Sequence, residues 1–180
     1  SVQTVSVVGV DDAVIDGDVT ADVTFSVNDP FSDDAFGAVV DTVVFVTNKD
    51  NDQAGIVISE TDDDTQVTEN GSTDTVSVVL TAEPASSVVV ALLSQDLTEV
   101  KVSPASLTFE AANWDLPQEA TLTGQDDLLN DGDSTTLLAA SVIAESSDPA
   151  FAAASASVEI TTVDDDSPGL LVVESDGTTS

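Results

Sequence analysis

The sequence predicts an all-β fold built as an antiparallel sandwich, and three observations carry that prediction. Short segments alternate Val, Leu or Phe with Thr and Ser, the period-two mark of strands with one buried face. Clusters of Asp, Asn, Gly and Pro punctuate them every ~8–12 residues, the turn spacing of a sandwich. No helical period persists beyond about a turn.

In chain order, Thr4 to Val8 sets Val5 and Val7 against Thr4 and Ser6 and reads as a half-buried strand. An acidic turn from Asp11 to Asp18 follows. The segment from Val19 to Val27 carries Val23, Phe25 and Val27 at period two and stops at Asn28, Asp29 and Pro30. Phe36, in the loop from Ser32 to Gly37, is expected to enter the core, and a strand from Val39 to Thr47 runs into Asp50, Asn51 and Asp52. A short strand from Gly55 to Glu60 is interrupted by Thr61 to Asp64, resumes from Gln66 to Glu69, and meets the turn signal Asn70-Gly71. The next strand, Thr73 to Thr81, puts Val76, Val78 and Leu80 on one face, and Val88 to Leu92 repeats the pattern. Val100 to Ser103 reads as a brief edge segment before Pro104, and Leu107 and Phe109 open another strand. Trp114, the only tryptophan, sits at a bend and is expected to plug the end of the core. The last strands are Glu119 to Thr123, Thr135 to Ile143 and Ala156 to Val163.

Composition narrows the functional classes. The chain has 180 residues and a formal net charge of -33, with Lys49 and Lys101 its only basic residues. A hydrophobic fraction of 41% permits a core and argues against disorder, whereas the charge repels nucleic-acid phosphates and anionic membranes. No long apolar run suggests insertion into a membrane. The chain contains no Cys and no His, so no Ser has a His partner to activate it. Paired carboxylates can serve glycoside hydrolysis or two-metal catalysis, but the acidic clusters here recur along the chain, which fits a structural role better than an enzyme.

The recurrence is an internal repeat. Gly9, Asp11, Asp12, Asp16, Gly17 and Asp18 match Gly124, Asp126, Asp127, Asp131, Gly132 and Asp133 at a displacement of 115, as Ser32, Asp33, Ala35 and Phe36 match Ser147, Asp148, Ala150 and Phe151. Asp50, Asn51, Asp52 and Gly55 match Asp164, Asp165, Asp166 and Gly169 at 114. The expected organisation is the back half of one unit (1–55), a complete unit (56–169) and the first strand of a third (170–180). Residues 1–55 supply too few strands to bury both faces of a two-sheet core.

If the strands around the acidic turn run antiparallel, the turn from Asp126 to Asp133 and the triplet Asp164, Asp165, Asp166 fall at one end of a sheet. Carboxylates gathered there at neutral pH need a cation, and calcium, which takes six to eight oxygen ligands, is the one expected. Asp62, Asp63 and Asp64 read instead as a solvated loop, and Asp33, Asp34 and Asp148 as surface or turn residues.

The pattern of Glu60, the Glu69-Asn70-Gly71 turn, Asp96, the double aspartate Asp126-Asp127 with Asp131 and Asp133, and Asp164 to Asp166 before Gly169 resembles a Calx-beta domain, an immunoglobulin-like calcium-binding sandwich. The run from Val102 to Phe109, with Asn113-Trp114 and Pro117-Gln118, is most similar to the tandem Calx-beta-like repeats of secreted bacterial adhesins. The resemblance implies calcium held by Glu60, Asp96, Asp126, Asp127, Asp164, Asp165 and Asp166, with Asp131 or Asp133 in a role the family often gives to Glu. In the partial unit it implies Asp11, Asp12, Asp16, Asp18, Asp50, Asn51 and Asp52. The function it implies is a calcium-stabilised extender of an extracellular or cell-surface adhesin or matrix protein, its partners being neighbouring repeats of the same chain. The alternative is a carbohydrate- or receptor-binding module acting through calcium-dependent adhesion or self-association.

Overall fold

The computed structural model describes residues 2–61 and 64–170, so Asp62, Asp63 and all but the first residue of the expected third unit lie outside the described residues. One compact unit ends at Gln53 and a second begins at Ala54. The architecture is all-β, as the alternation requires.

The first unit holds one antiparallel hairpin, β1 (Val19–Phe25) with β2 (Thr42–Asn48), in register from Val19 opposite Asn48 to Phe25 opposite Thr42. Short 3-10 turns at Asp29–Phe31 and Asp34–Phe36 join the strands. The expected strand from Thr4 to Val8 is absent: among the described residues this segment joins no ladder, with Val5 64% and Val7 52% exposed. Alternation specifies a strand only where a neighbour supplies the ladder. Phe36 likewise stays outside, 58% exposed, because a two-stranded sheet has no opposing layer to receive it.

The second unit is a β-sandwich. One sheet has the order β4 (Gln66–Thr68), β11 (Ser155–Val163), β10 (Ser134–Val142), β6 (Val88–Ser94), β8 (Ser106–Phe109). The other runs β3 (Ile56–Glu60), β5 (Thr73–Leu80), β9 (Gln118–Gly124), β7 (Val100–Ser103). β7 is thus an edge strand, as its length suggested. Among the described residues, every buried hydrophobic side chain lies between Ile56 and Ile160. Val76, Val78 and Leu80 face inward as the alternation predicts, with Val90, Leu92, Leu122, Leu138 and Ile160 also in the core. Full burial of each such aliphatic side chain is worth roughly 1.5–3 kcal/mol. Phe151, the counterpart of Phe36, is completely buried. Trp114 is half-buried, and its carbonyl accepts the Leu80 N–H at 3.0 Å.

Two features depart from the expected pattern. β4 pairs with β11 in parallel, Gln66 opposite Thr161 and Thr68 opposite Val163, so the sandwich is not wholly antiparallel. The interruption after Glu60 lets the chain leave one sheet and join the edge of the other. Asp148, expected at the surface, is 6% exposed. Its carboxylate accepts N–H groups from Ala85 (2.7 Å), Ser86 (3.1 Å) and Ala150 (2.9 Å), which satisfies backbone donors that the neighbouring turns would otherwise bury unpaired.

Candidate metal centre

The ladders bring one set of strand ends together. Gly124 of β9 lies opposite Val100 of β7, Thr73 of β5 opposite Thr123, Ser134 of β10 opposite Thr162, and Thr68 of β4 opposite Val163. The acidic loop from Gln125 to Asp133, the triplet after Val163, and Glu69 after Thr68 therefore emerge at the same end. Gly124 permits the close approach: a Cβ there would lie 2.0 Å from the Thr68 carbonyl oxygen. Gly124 thereby holds the acidic loop beside the turn that carries Glu69.

The loop is laced to the triplet through backbone N–H donors and the Asn130 side-chain amide. Gly132, at φ 88°, aims its N–H at Asp164 Oδ2 (2.8 Å), a conformation costly for any residue with a side chain. Asn130 Nδ2 donates to the same oxygen (3.3 Å) and to the Asp166 carbonyl (2.8 Å). The Asp164 N–H donates to Asp133 Oδ1 (3.2 Å), the Asp166 N–H to Asp164 Oδ1 (2.8 Å), and the Leu129 N–H to Asp127 Oδ1 (2.6 Å).

Within this frame, carboxylate oxygens of Glu69, Asp164 and Asp166 lie within 4.8 Å of one another. Glu69 is only 3% exposed, and its Oε2, like Oδ2 of Asp166, is buried without a hydrogen-bond partner. Oε2 of Glu99, on the loop before β7, is a third such orphan. Burial, reinforced by Asp164, Asp127, Glu99 and Asp131, pushes the Glu69 carboxyl up to about 7. Burial also raises Glu99, aided by Asp96, Asp131 and Asp127. Asp166 is raised by burial and then by Asp164, Asp165, Asp126 and Asp127. Orphaned anionic oxygens in mutual repulsion fit a hard divalent cation, which would supply both the missing partner and the missing charge.

Of the residues expected from sequence, Asp164 and Asp166 form the convergent core. Asp126, Asp127, Asp131 and Asp165 are exposed and act on it through charge. Asp133 is a backbone acceptor. Asp96 accepts the Thr98 N–H (2.9 Å) and hydroxyl (2.5 Å), which hold its carboxyl below the usual range. Glu60, on β3, accepts the Thr65 hydroxyl (2.8 Å) and is not part of the convergent trio. Glu69 and Glu99 were absent from the expected ligand set. Glu69 belonged to the recognisable turn motif, so its place in the pattern was visible. Glu99 carries no signal, since it stands alone between Thr98 and Val100.

The first unit builds its acidic end with matching bonds. Gly17, at φ 78°, donates to Asp50 Oδ2 (2.6 Å), the Asp50 N–H to Asp18 Oδ1 (3.2 Å), the Asp52 N–H to Asp50 Oδ1 (2.8 Å), and the Val14 N–H to Asp12 Oδ1 (3.0 Å). The N–H donors of Asp52 and Gly17 hold Asp50 down. Asp52 is raised by burial and by Asp50, Asp11, Asp12 and Asp16. Asn51 is exposed.

No family model and no curated protein matches this sequence. Among solved structures, it is similar to the E. coli chaperone DraB at 12% identity, over 61% of this chain and 53% of that one, with a TM-score of 0.41. The chain thus matches about half the length of DraB. It is also similar to SSP-19, an MSP-domain protein like family member in Caenorhabditis elegans (18% identity, 56% of this chain, 92% of that one, TM-score 0.37). PapD-like domain 7 of human CEP192 is a third (12% identity, 64% and 89%, TM-score 0.44).

Proposed function

We propose that this chain is a calcium-stabilised structural module of the Calx-beta type, part of a tandem array in an extracellular or cell-surface protein, with no catalytic role. The observation that carries the reading is the buried, unpartnered carboxylate of Glu69 meeting Asp164 and Asp166 at the end of the sandwich. Calcium there is held by Glu69, Asp164 and Asp166, with Glu99, Asp96 and the aspartates at 126, 127, 131, 133 and 165 around it. Glu60 remains a candidate of the family pattern at the margin of the site.

The repeat is supported by the bonding itself. Gly17 to Asp50 and Gly132 to Asp164 are matching contacts at positions displaced by 115 and 114, and Val19 opposite Asn48 corresponds to Ser134 opposite Thr162. The set Asp11, Asp12, Asp16, Asp18, Asp50, Asn51 and Asp52 is accordingly read as a second, related cation site. Millimolar calcium outside cells suits such sites, and ions bound only by the folded state stabilise it by mass action. Repeated units stiffened this way would act as an extender whose partners are neighbouring units.

Calcium titration calorimetry on the whole chain tests the proposal against a variant with E69Q, D164N and D166N. Saturable binding that is mostly lost in the variant is expected. Equal, weak and unsaturable uptake by both would reduce the carboxylates to a solvated surface.

A further inference from the structure

The hairpin of the first unit matches β10 and β11 of the second, but the strands that cover those two are missing from it. Val23 and Phe25 of β1, with Val27 just beyond, stand at the places of Leu138, Ala140 and Val142, and Val46 of β2 at that of Ile160. Leu138, Ala140 and Ile160 are core residues, whereas Phe25 is 42% exposed and Val44, opposite Val23, 45%. In the second unit the other edge of β10 is taken by β6, antiparallel, with Ser94 opposite Leu138, Leu92 opposite Ala140 and Val90 opposite Val142. β1 pairs with β2 and, among the described residues, with no other strand. Residues 23–27 read Val-Thr-Phe-Ser-Val, without the charge or proline that guards an open edge.

We propose that the first unit is a strand acceptor: the free edge of β1 takes, antiparallel, an uncharged aliphatic strand of the β6 type from the front half of another repeat unit. The inference rests on the repeat reading above and not on calcium. Backbone hydrogen bonds along residues 23–27 supply the affinity, and the inward side chains of the added strand, at the places of Val90 and Leu92, lie beside Val27 and Phe25 and extend the apolar face. The net charge of -33 repels an acidic strand and so selects an uncharged one. The chain's own β6 is held between β10 and β8, so the donor belongs to another unit. An apolar face left open on so acidic a chain is the mark of an interaction surface.

The probe is a synthetic peptide of residues 86–96, Ser-Ser-Val-Val-Val-Ala-Leu-Leu-Ser-Gln-Asp, added to the isotopically labelled whole chain in chelator. Amide NMR is expected to show saturable shifts and slowed exchange at residues 23–27, with β10 unmoved because its own β6 occupies that edge. A spin label at the peptide's N-terminus should broaden Val27 before Val23, as the antiparallel register requires. Peptides carrying V90D with L92D, or A91P, should lose the binding, since the first charges the apolar face and the second breaks the ladder; these controls leave the protein itself unaltered. No shift at excess peptide, shifts away from β1, or broadening of Val23 first overturns the acceptor role. A chain that self-associates through β1 and ignores the peptide, as sedimentation would show, assigns the face to a second copy and overturns it too. With no metal present, any of these failures leaves the calcium reading to stand or fall by its own titration.

Discussion

Glu69 concentrates the chemistry of the site in one side chain. Without metal, the folded chain keeps its proton up to about pH 7, while the unfolded chain releases it near 4.5. The folded state therefore binds more protons across that window, and its stability falls as pH rises through it. Glu99 and Asp166, raised in the same sense, add to the slope, whereas Asp96, held low, acts only in more acidic solution. Calcium needs the ionised oxygens and reverses the trend. Thermal melts of metal-stripped protein should show a midpoint that drops from pH 5 to pH 8, and melts in excess calcium one that rises. E69Q should flatten the first profile and lose most of the second; a calcium shift that survives in full in E69Q would contradict the site. Gly124→Ala should weaken calcium binding as well, because the new methyl group displaces Thr68 and the Glu69 that follows it.

At the level of elements, the same local sequence has different worth in the two units. Phe151 is completely buried in the two-sheet unit, and Phe36 at the matching position is 58% exposed. Phe151→Ala is expected to cost the second unit about 3–5 kcal/mol, and Phe36→Ala to stay within about 0.5 kcal/mol, as denaturant titration of each unit would measure. Asp148 and Asp33 repeat the contrast. Both accept an N–H within their own 3-10 turn, but only Asp148 also accepts from Ala85 and Ser86. Strand positions of the second unit were readable within a residue or two from alternation, since both sheets exist there to bury the apolar set. Thr4 to Val8 misled for the converse reason, because a strand's periodicity says which face would be buried and nothing about whether a neighbour is there.

For the whole molecule, uneven burial should appear as uneven resistance. Four of the six phenylalanines, Phe25, Phe31, Phe36 and Phe45, are 42% to 87% exposed in the first unit, while Phe109 and Phe151 of the second are fully buried. Brief chymotrypsin digestion should cut the first unit and leave a fragment containing both Phe109 and Phe151; early cleavage at those two would contradict the division. Excess calcium should slow loss of that fragment, since ligand bound to the native state lowers the open population. By itself the sequence determined the all-β class, the repeated acidic turns and the pairing of each turn with its triplet. These follow from residue type and spacing, which set local backbone preference and the face each side chain takes. Only the tertiary structure decided that β4 runs parallel to β11, that Asp148 is an interior acceptor, and that Glu69 and Glu99 join the acidic end. The first depends on which sheet edge the chain meets after Glu60, and the other two on which chain segments exclude water from a given carboxylate, since desolvation is set by neighbours distant in sequence.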